Sequence, residues 1–294
     1  MPELPDVTIY VEALRERIAG CPLLDLRIVS PFVLRSVDPP IQSLIGSGVS
    51  VVRRLGKRIV IGFEGDRWLV IHLMIAGRLQ WKPPNSKPIG KIGLACFDFD
   101  DGTLILTEAS SHKRASIYVV AGESCLASHD PGGIEPLEAS LDEFAAVLRA
   151  ENRTLKRALT QPNRLSGIGN AYSDEILHAA RLSPLLLTRT LDAEQMQRLW
   201  EATRATLTDW TERLRMQFAG RFPGPGEITA FRPDFAVHGK FGKPCPVCDK
   251  PVQRIRYAEN ETNYCAICQN EGRVLADRSL SRLLKDDWPR TLED

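Results

Sequence analysis

Met1-Pro2-Glu3-Leu4-Pro5-Asp6 opens the chain with a proline in second place and two carboxylates close by. Methionine is normally trimmed before so small a residue, and trimming would make Pro2 a terminal secondary amine. An α-amino group titrates near pH ~8, so a useful fraction is neutral under ordinary conditions. Such an amine can attack an aldehydic sugar carbon and give an iminium ion, covalent catalysis of the kind seen in Schiff-base lysines. Glu3 is then a candidate general acid, and Asp6 lies one turn further on. Taken alone, Met-Pro-Glu is more often just an ordinary start.

The second chemical cluster lies near the other end. Cys245-Pro-Val-Cys248 and Cys265-Ala-Ile-Cys268 are two CxxC pairs separated by 16 residues. Each tight turn puts two thiolates on one side, and two such turns complete a tetrahedral Zn²⁺ site. Four cysteines close the coordination sphere and leave no position for water, so one structural zinc is expected. Val252–Tyr257 reads as a strand between the pairs, which suggests a zinc ribbon. The remaining Cys21, Cys96 and Cys125 are scattered, and an odd total of seven argues against a disulfide framework.

The elements that must hold these groups fall into blocks. Val7, Tyr10, Val11 and Leu14 recur at helical spacing. From about residue 22 to 125 the pattern changes to short β-like runs, among them Leu24–Val29, Val49–Arg54, Arg58–Phe63 and Trp68–Leu73. Phe97–Asp100 alternates, and Asp101-Gly102 reads as a hairpin turn. Many short strands with turn signals suggest a β-sandwich or barrel. Lys82–Lys87 is a loop, and two prolines and two glycines mark a linker across His129–Pro136.

Beyond the linker the signal is helical. Ser140-Leu-Asp-Glu143 is a capping box opening a helix to about Ala150. Further helices are expected over Thr154–Thr160, Tyr172–Ala180 and Asp192–Phe218, then a Gly/Pro-rich loop over Gly220–Asp234 and a last helix over Asp277–Asp286. The 294 residues are 43% hydrophobic, enough for a sizeable core in about two domains. No apolar run is long enough for a membrane span, and the start lacks a secretory pattern, so the cytoplasm is the expected compartment. The net charge of +1 decides nothing about nucleic acid; the local cluster Arg53, Arg54, Lys57 and Arg58 is what phosphate binding would need.

Three motifs carry a resemblance. Met1-Pro2-Glu3-Leu4-Pro5-Asp6-Val7 resembles the opening of the formamidopyrimidine-DNA glycosylase/endonuclease VIII family. Gly167-Ile-Gly-Asn170-Ala-Tyr-Ser-Asp-Glu175 is similar to its helix–two-turn–helix signature, and Val237-His-Gly-Lys240 followed by Cys245 to the entry of its zinc finger. The resemblance implies an α+β chain with an N-terminal helix and β-sandwich over 1–130, a helical domain over 137–222 and a four-cysteine zinc finger over 236–270; the tail over 271–294 extends past the family's usual end. It implies a monomeric base-excision enzyme acting on damaged double-stranded DNA, associated with the nucleoid. Oxidised bases, oxidised purines first because Leu4 resembles that branch, would be removed through a Schiff base on Pro2 followed by β-elimination. Glu3 is the implied acid, Asp6 stands for a family glutamate, and Lys57 matches the lysine that assists elimination.

The target base cannot be reached inside the duplex, so its nucleotide must be flipped out. His72 matches a family phosphate contact. Asn170 and the adjoining amides open a helix after two glycines, a setting that favours a phosphate. The hole left by the flipped nucleotide would be filled by Ile75 or the adjacent Met74, an apolar wedge, with Lys113 or Arg114 facing the orphaned base. The family's aromatic is missing there. Asn260 stands where the finger carries an arginine, between Glu259 and Glu261, which puts δ-elimination in question. The alternatives are a family member specific for oxidised pyrimidines or abasic sites, and a non-catalytic damage-binding protein on the same scaffold.

Overall fold

A computed structural model describes residues 1–257, 260–276 and 291–292. The chain divides into two compact units, residues 1–131 with 210–229, and residues 132–209 with 230–294.

In the first unit, helix α1 (Leu4–Ile18) buries Val7, Tyr10, Val11, Leu14 and Ile18, the residues of its apolar stripe. Strands β1 (Asp25–Ile28), β5 (Gly77–Lys82), β6 (Gly93–Phe99) and β7 (Gly102–Glu108) form one antiparallel sheet in the order β1-β6-β7-β5. Strands β2 (Val49–Leu55), β3 (Arg58–Phe63), β4 (Arg67–His72) and β8 (Ser116–Ala121) form a second in the order β2-β3-β4-β8. One core joins the two sheets and α1. On β3 and β4, Ile59, Ile61, Leu69 and Ile71 point into it, whereas Val60, Trp68 and Val70 belong to a smaller cluster with Leu126 on the other face. That alternation is the period of two a strand imposes, and it gives the expected β-sandwich.

The hairpin between β6 and β7 departs from its expected form. Phe99 pairs with Gly102, so Asp100 and Asp101 make the turn and Gly102 is the first residue of β7. A Cβ at Gly102 would overlap the indole of Trp81 on the neighbouring β5. Gly102 is thus required by a cross-strand aromatic, not by the turn.

The second unit is helical around a small metal-binding hairpin. Helix α2 (Leu141–Arg149) starts at the expected capping box: Glu143 N–H donates to Ser140 Oγ at 3.3 Å, and Ser140 N–H donates to Glu143 Oε2 at 2.8 Å. Helices α3 (Leu155–Leu159) and α4 (Asn170–Ala179) follow. Helix α5 (Ala193–Phe218) runs through both units; Trp200 Nε1 donates to Ala139 O within the second, and Leu214 and Phe218 join the core of the first. Strands β9 (Gln253–Tyr257) and β10 (Asn260–Tyr264) pair antiparallel, and helix α6 (Ala266–Asn270) closes the cysteine cluster. The helix expected over Asp277–Asp286 lies outside the described residues.

Candidate functional site

Glu3 is the N-cap residue of α1, in an extended conformation, and Pro5 falls in the first turn, where a missing N–H breaks no bond. The Glu3 backbone N–H donates to Asp6 Oδ2 at 2.9 Å. Glu3 and Asp6 are only 3% and 2% exposed, so their orientations are set by the packing of α1 rather than by solvent. The Asp6 carboxylate also sits where a helix N-terminus stabilises negative charge. Asp6 therefore fixes the backbone that carries Glu3.

Pro2 is buried and Met1 half-buried. Burial lowers the pKa of the terminal amine below its ordinary value; Glu3 and Asp6 oppose the shift, and the positive charges of Arg78 and Lys57 add to it. The chain start, both carboxylates and Lys57 thus share one electrostatic site. Lys57 reaches it from the two-residue turn joining Leu55 to Arg58, where Gly56 takes φ +59°, as the first position of a II′-type turn demands.

Arg78 was not legible in the sequence as part of this site. Its Nε donates to Ile228 O at 2.7 Å and its Nη1 to Gly77 O at 2.6 Å. Its place depends on the register of β5 and on a loop 150 residues away, and no local pattern signals either.

His72 ends β4 opposite Arg58. Burial, and then Arg58 and Lys57, push its pKa down to about 4. At neutral pH it is an uncharged ring with one N–H to donate. Arg53 is partly engaged elsewhere, paired with Glu123 at 2.6 Å and lying over the Trp68 ring.

After His72 the chain makes a tight turn. Gly77 N–H donates to Leu73 O at 2.9 Å, and a Cβ at Gly77 would overlap that carbonyl. Met74 takes φ +53° and Ile75 is 54% exposed, so Ile75 is the apolar side chain this turn presents. Gly77 pairs with Glu108, which brings the 109–115 loop to the same end of the sheet. Buried Glu108 accepts from the N–H groups of Arg114 and Ala115 at 2.8 and 3.0 Å. Lys113 Nζ donates to Lys91 O and Glu108 O, both at 3.0 Å. Lys113 straps the loop, whereas the exposed Arg114 side chain makes no hydrogen bond or ion pair to the described residues. The sequence could not separate these neighbours because it does not reveal the bonds to Glu108.

In the second unit, Gly167 takes φ +79° and Gly169 is the N-cap of α4, which Asn170 begins. Asn170 Nδ2 donates to Glu261 O at 2.8 Å. An amide NH₂ has two donors, and β10 engages one of them. Asp174, fully buried, accepts from Lys156 Nζ at 2.5 Å and Asn263 N at 3.1 Å, and its Oδ2 lies 2.7 Å from His238 Nδ1. Glu175 accepts from the N–H groups of Ala236, Val237 and His238 at 2.7 to 2.9 Å. Glu261 is held by Arg256 at 3.0 Å and Arg254 at 3.6 Å, which offsets its negative charge. Asn260 begins β10, but its side chain and the whole of Glu259 lie outside the described residues.

The four sulfurs of Cys245, Cys248, Cys265 and Cys268 lie within 4.8 Å of one another. Cys245 and Cys268 are 3.9 Å apart, Cys248 and Cys265 3.3 Å. Zn–S bonds of about 2.3 Å in a tetrahedron put sulfurs about 3.8 Å apart, so the set fits one structural zinc. Among the described residues no helix is long and apolar enough to cross a membrane.

Three family profiles match in chain order. The formamidopyrimidine-DNA glycosylase N-terminal domain covers residues 1–110, the H2TH domain of the same glycosylase 133–216, and the zinc finger found in FPG and IleRS 242–270. A formamidopyrimidine-DNA glycosylase of Solibacter usitatus is 31% identical over 92% of this chain and 99% of its own length. A formamidopyrimidine-DNA glycosylase-like protein of Mycobacterium tuberculosis is 39% identical over 52% of this chain and 94% of its own. Among solved structures, the Lactococcus lactis Fpg in complex with DNA containing N7-benzyl-Fapy-dG superimposes with a TM-score of 0.80 at 23% identity, covering 92% of this chain and 100% of that one.

Proposed function

Because the chain belongs to the formamidopyrimidine-DNA glycosylase family, we propose that it excises oxidised bases from double-stranded DNA and then cuts the abasic strand, with Pro2 as nucleophile. The observation that carries this reading is the setting of the chain start, a buried, depressed amine flanked by Glu3 and Asp6 and facing Lys57 and Arg78.

The Pro2 nitrogen attacks C1′ of the flipped nucleotide. The N–C1′ bond forms, the glycosidic bond breaks, and the base leaves with the proton that the amine gives up. Glu3 protonates the ring oxygen as the sugar opens, leaving an iminium at C1′. The iminium acidifies C2′; loss of that proton breaks the C3′–O bond and expels the 3′ phosphate. Water then hydrolyses the iminium and returns the amine. Lys57 offers positive charge to the phosphates, and neutral His72 a single N–H donor. Ile75 fills the emptied stack while Arg114 faces the orphaned base. Asn170 contributes its second N–H to a phosphate, which fixes register without reading sequence. We place the enzyme with the chromosome in the cytoplasm.

Oxidised purines are the first substrate class. The absence of phenylalanine, tyrosine and tryptophan from His112–Ala115 favours a second reading in which the void is filled less completely and oxidised pyrimidines or bare abasic sites are also processed. A panel of duplexes bearing each lesion, with product sizing, tests both. Cleavage leaving a β-elimination end supports the lyase; no cleavage and no base release on any lesion overturns the enzymatic reading.

A further inference from the structure

Helix α4 presents Asn170, Asp174 and His178 at intervals of four, which puts all three on one face. Each is bonded to the metal-binding segment. Asn170 Nδ2 donates to Glu261 O at 2.8 Å, Asp174 accepts from Asn263 N at 3.1 Å, and His178 Nε2 lies 3.2 Å from Cys245 Sγ. His178 and Cys245 are both buried, at 7% and 1% exposed, so water does not compete for either atom.

A zinc-bound cysteine is a thiolate and can only accept. An imidazole nitrogen at this distance from it must carry the proton. We propose that His178 donates its Nε2–H to the zinc-bound thiolate of Cys245 and so makes α4, with Asn170 at its head, part of the zinc site. Four thiolates around one zinc carry net negative charge, and a buried donor draws some of that charge off the sulfur. It also orients Cys245, as hydrogen-bonded partners of metal ligands generally do. At the other end of the stripe, Asn170 is held by β10, which leads directly into Cys265. The same helix face thus carries the thiolate's donor near one end and Asn170 at the other. The His178 hydrogen bond belongs to the metal site and holds whatever lesion the protein prefers.

Two measurements test it. In the zinc-loaded wild type, imidazole ¹⁵N shifts report which ring nitrogen of His178 is protonated. A proton on Nε2 is expected; a neutral ring protonated only on Nδ1 overturns the proposal without any variant. In the second, zinc transfer to a chromogenic chelator is followed for wild type, His178→Phe and His178→Gln. His178→Phe should release zinc on the order of tenfold faster, and His178→Gln, which keeps an N–H donor, should recover most of the difference. In the Co²⁺-substituted forms the thiolate-to-metal charge-transfer band should move to longer wavelength in His178→Phe. Wild-type release rates with an unshifted band in His178→Phe would show that the ring only packs.

Discussion

The carboxylate of Asp6 holds the backbone N–H of Glu3 at 2.9 Å, inside the first turn of α1. In the proposed mechanism this makes Asp6 a positioning residue for Glu3, and a side chain one methylene shorter than glutamate is long enough to make that bond. Asp6→Ala should cost about 1 kcal/mol of stability as a lost helix-start bond. It should slow single-turnover base excision on the order of 100-fold, because small misplacements of catalytic groups have large effects on rate. Asp6→Asn, which retains an acceptor, should fall between. Excision by Asp6→Ala at the wild-type rate would show that Asp6 does not position Glu3.

His72 titrates at about 4 in the folded protein, below the ~6.5 of an unfolded chain. The unfolded state therefore binds more protons between these values, and stability is lost as pH falls from about 6.5 toward 4. The loss attributable to His72 should approach about 3 kcal/mol. Urea denaturation of wild type and His72→Gln across this window measures it; parallel curves would show that His72 is not held neutral by its surroundings.

Ile75 is exposed at the tip of its turn and Arg114 extends from the strapped loop. Ile75→Ser should leave the melting temperature unchanged and still reduce excision from duplex DNA. Arg114→Ala should weaken binding to a lesion duplex by about 1–3 kcal/mol, the value of a good base contact. Fluorescence anisotropy separates this from a phosphate contact: loss of discrimination between opposite bases is expected, whereas a uniform loss across all opposite bases contradicts the assignment.

Gly102→Ala should destabilise the first unit by about 1–3 kcal/mol, the usual cost of overpacking, because its Cβ meets the Trp81 ring. The double variant with Trp81→Phe should recover part of that loss. A neutral Gly102→Ala would show that the indole imposes no requirement for glycine there.

These residues also mark how far the sequence reaches. The zinc ligands are legible because CxxC spacing is itself the geometry of the site. The start of α2 is legible because a capping box is local. Gly102 misleads because its constraint comes from Trp81 across the sheet, and an Asp-Gly pair looks the same whether it turns the chain or makes room for an aromatic. Arg78 is silent because its partner Ile228 is 150 positions away. Lys113 and Arg114 are adjacent cations whose different roles appear only once Glu108 is seen to hold the loop. His178 sits at an ordinary position of a buried helix until Cys245 is found against it.

In the proposed mechanism Pro2 forms the covalent bond to the sugar. Borohydride reduction of the protein with abasic-site DNA, followed by proteolysis and mass mapping, tests it most directly. A sugar-modified peptide that begins at Pro2, with Met1 absent, is expected. An adduct on Lys57, or no adduct at all, would contradict it.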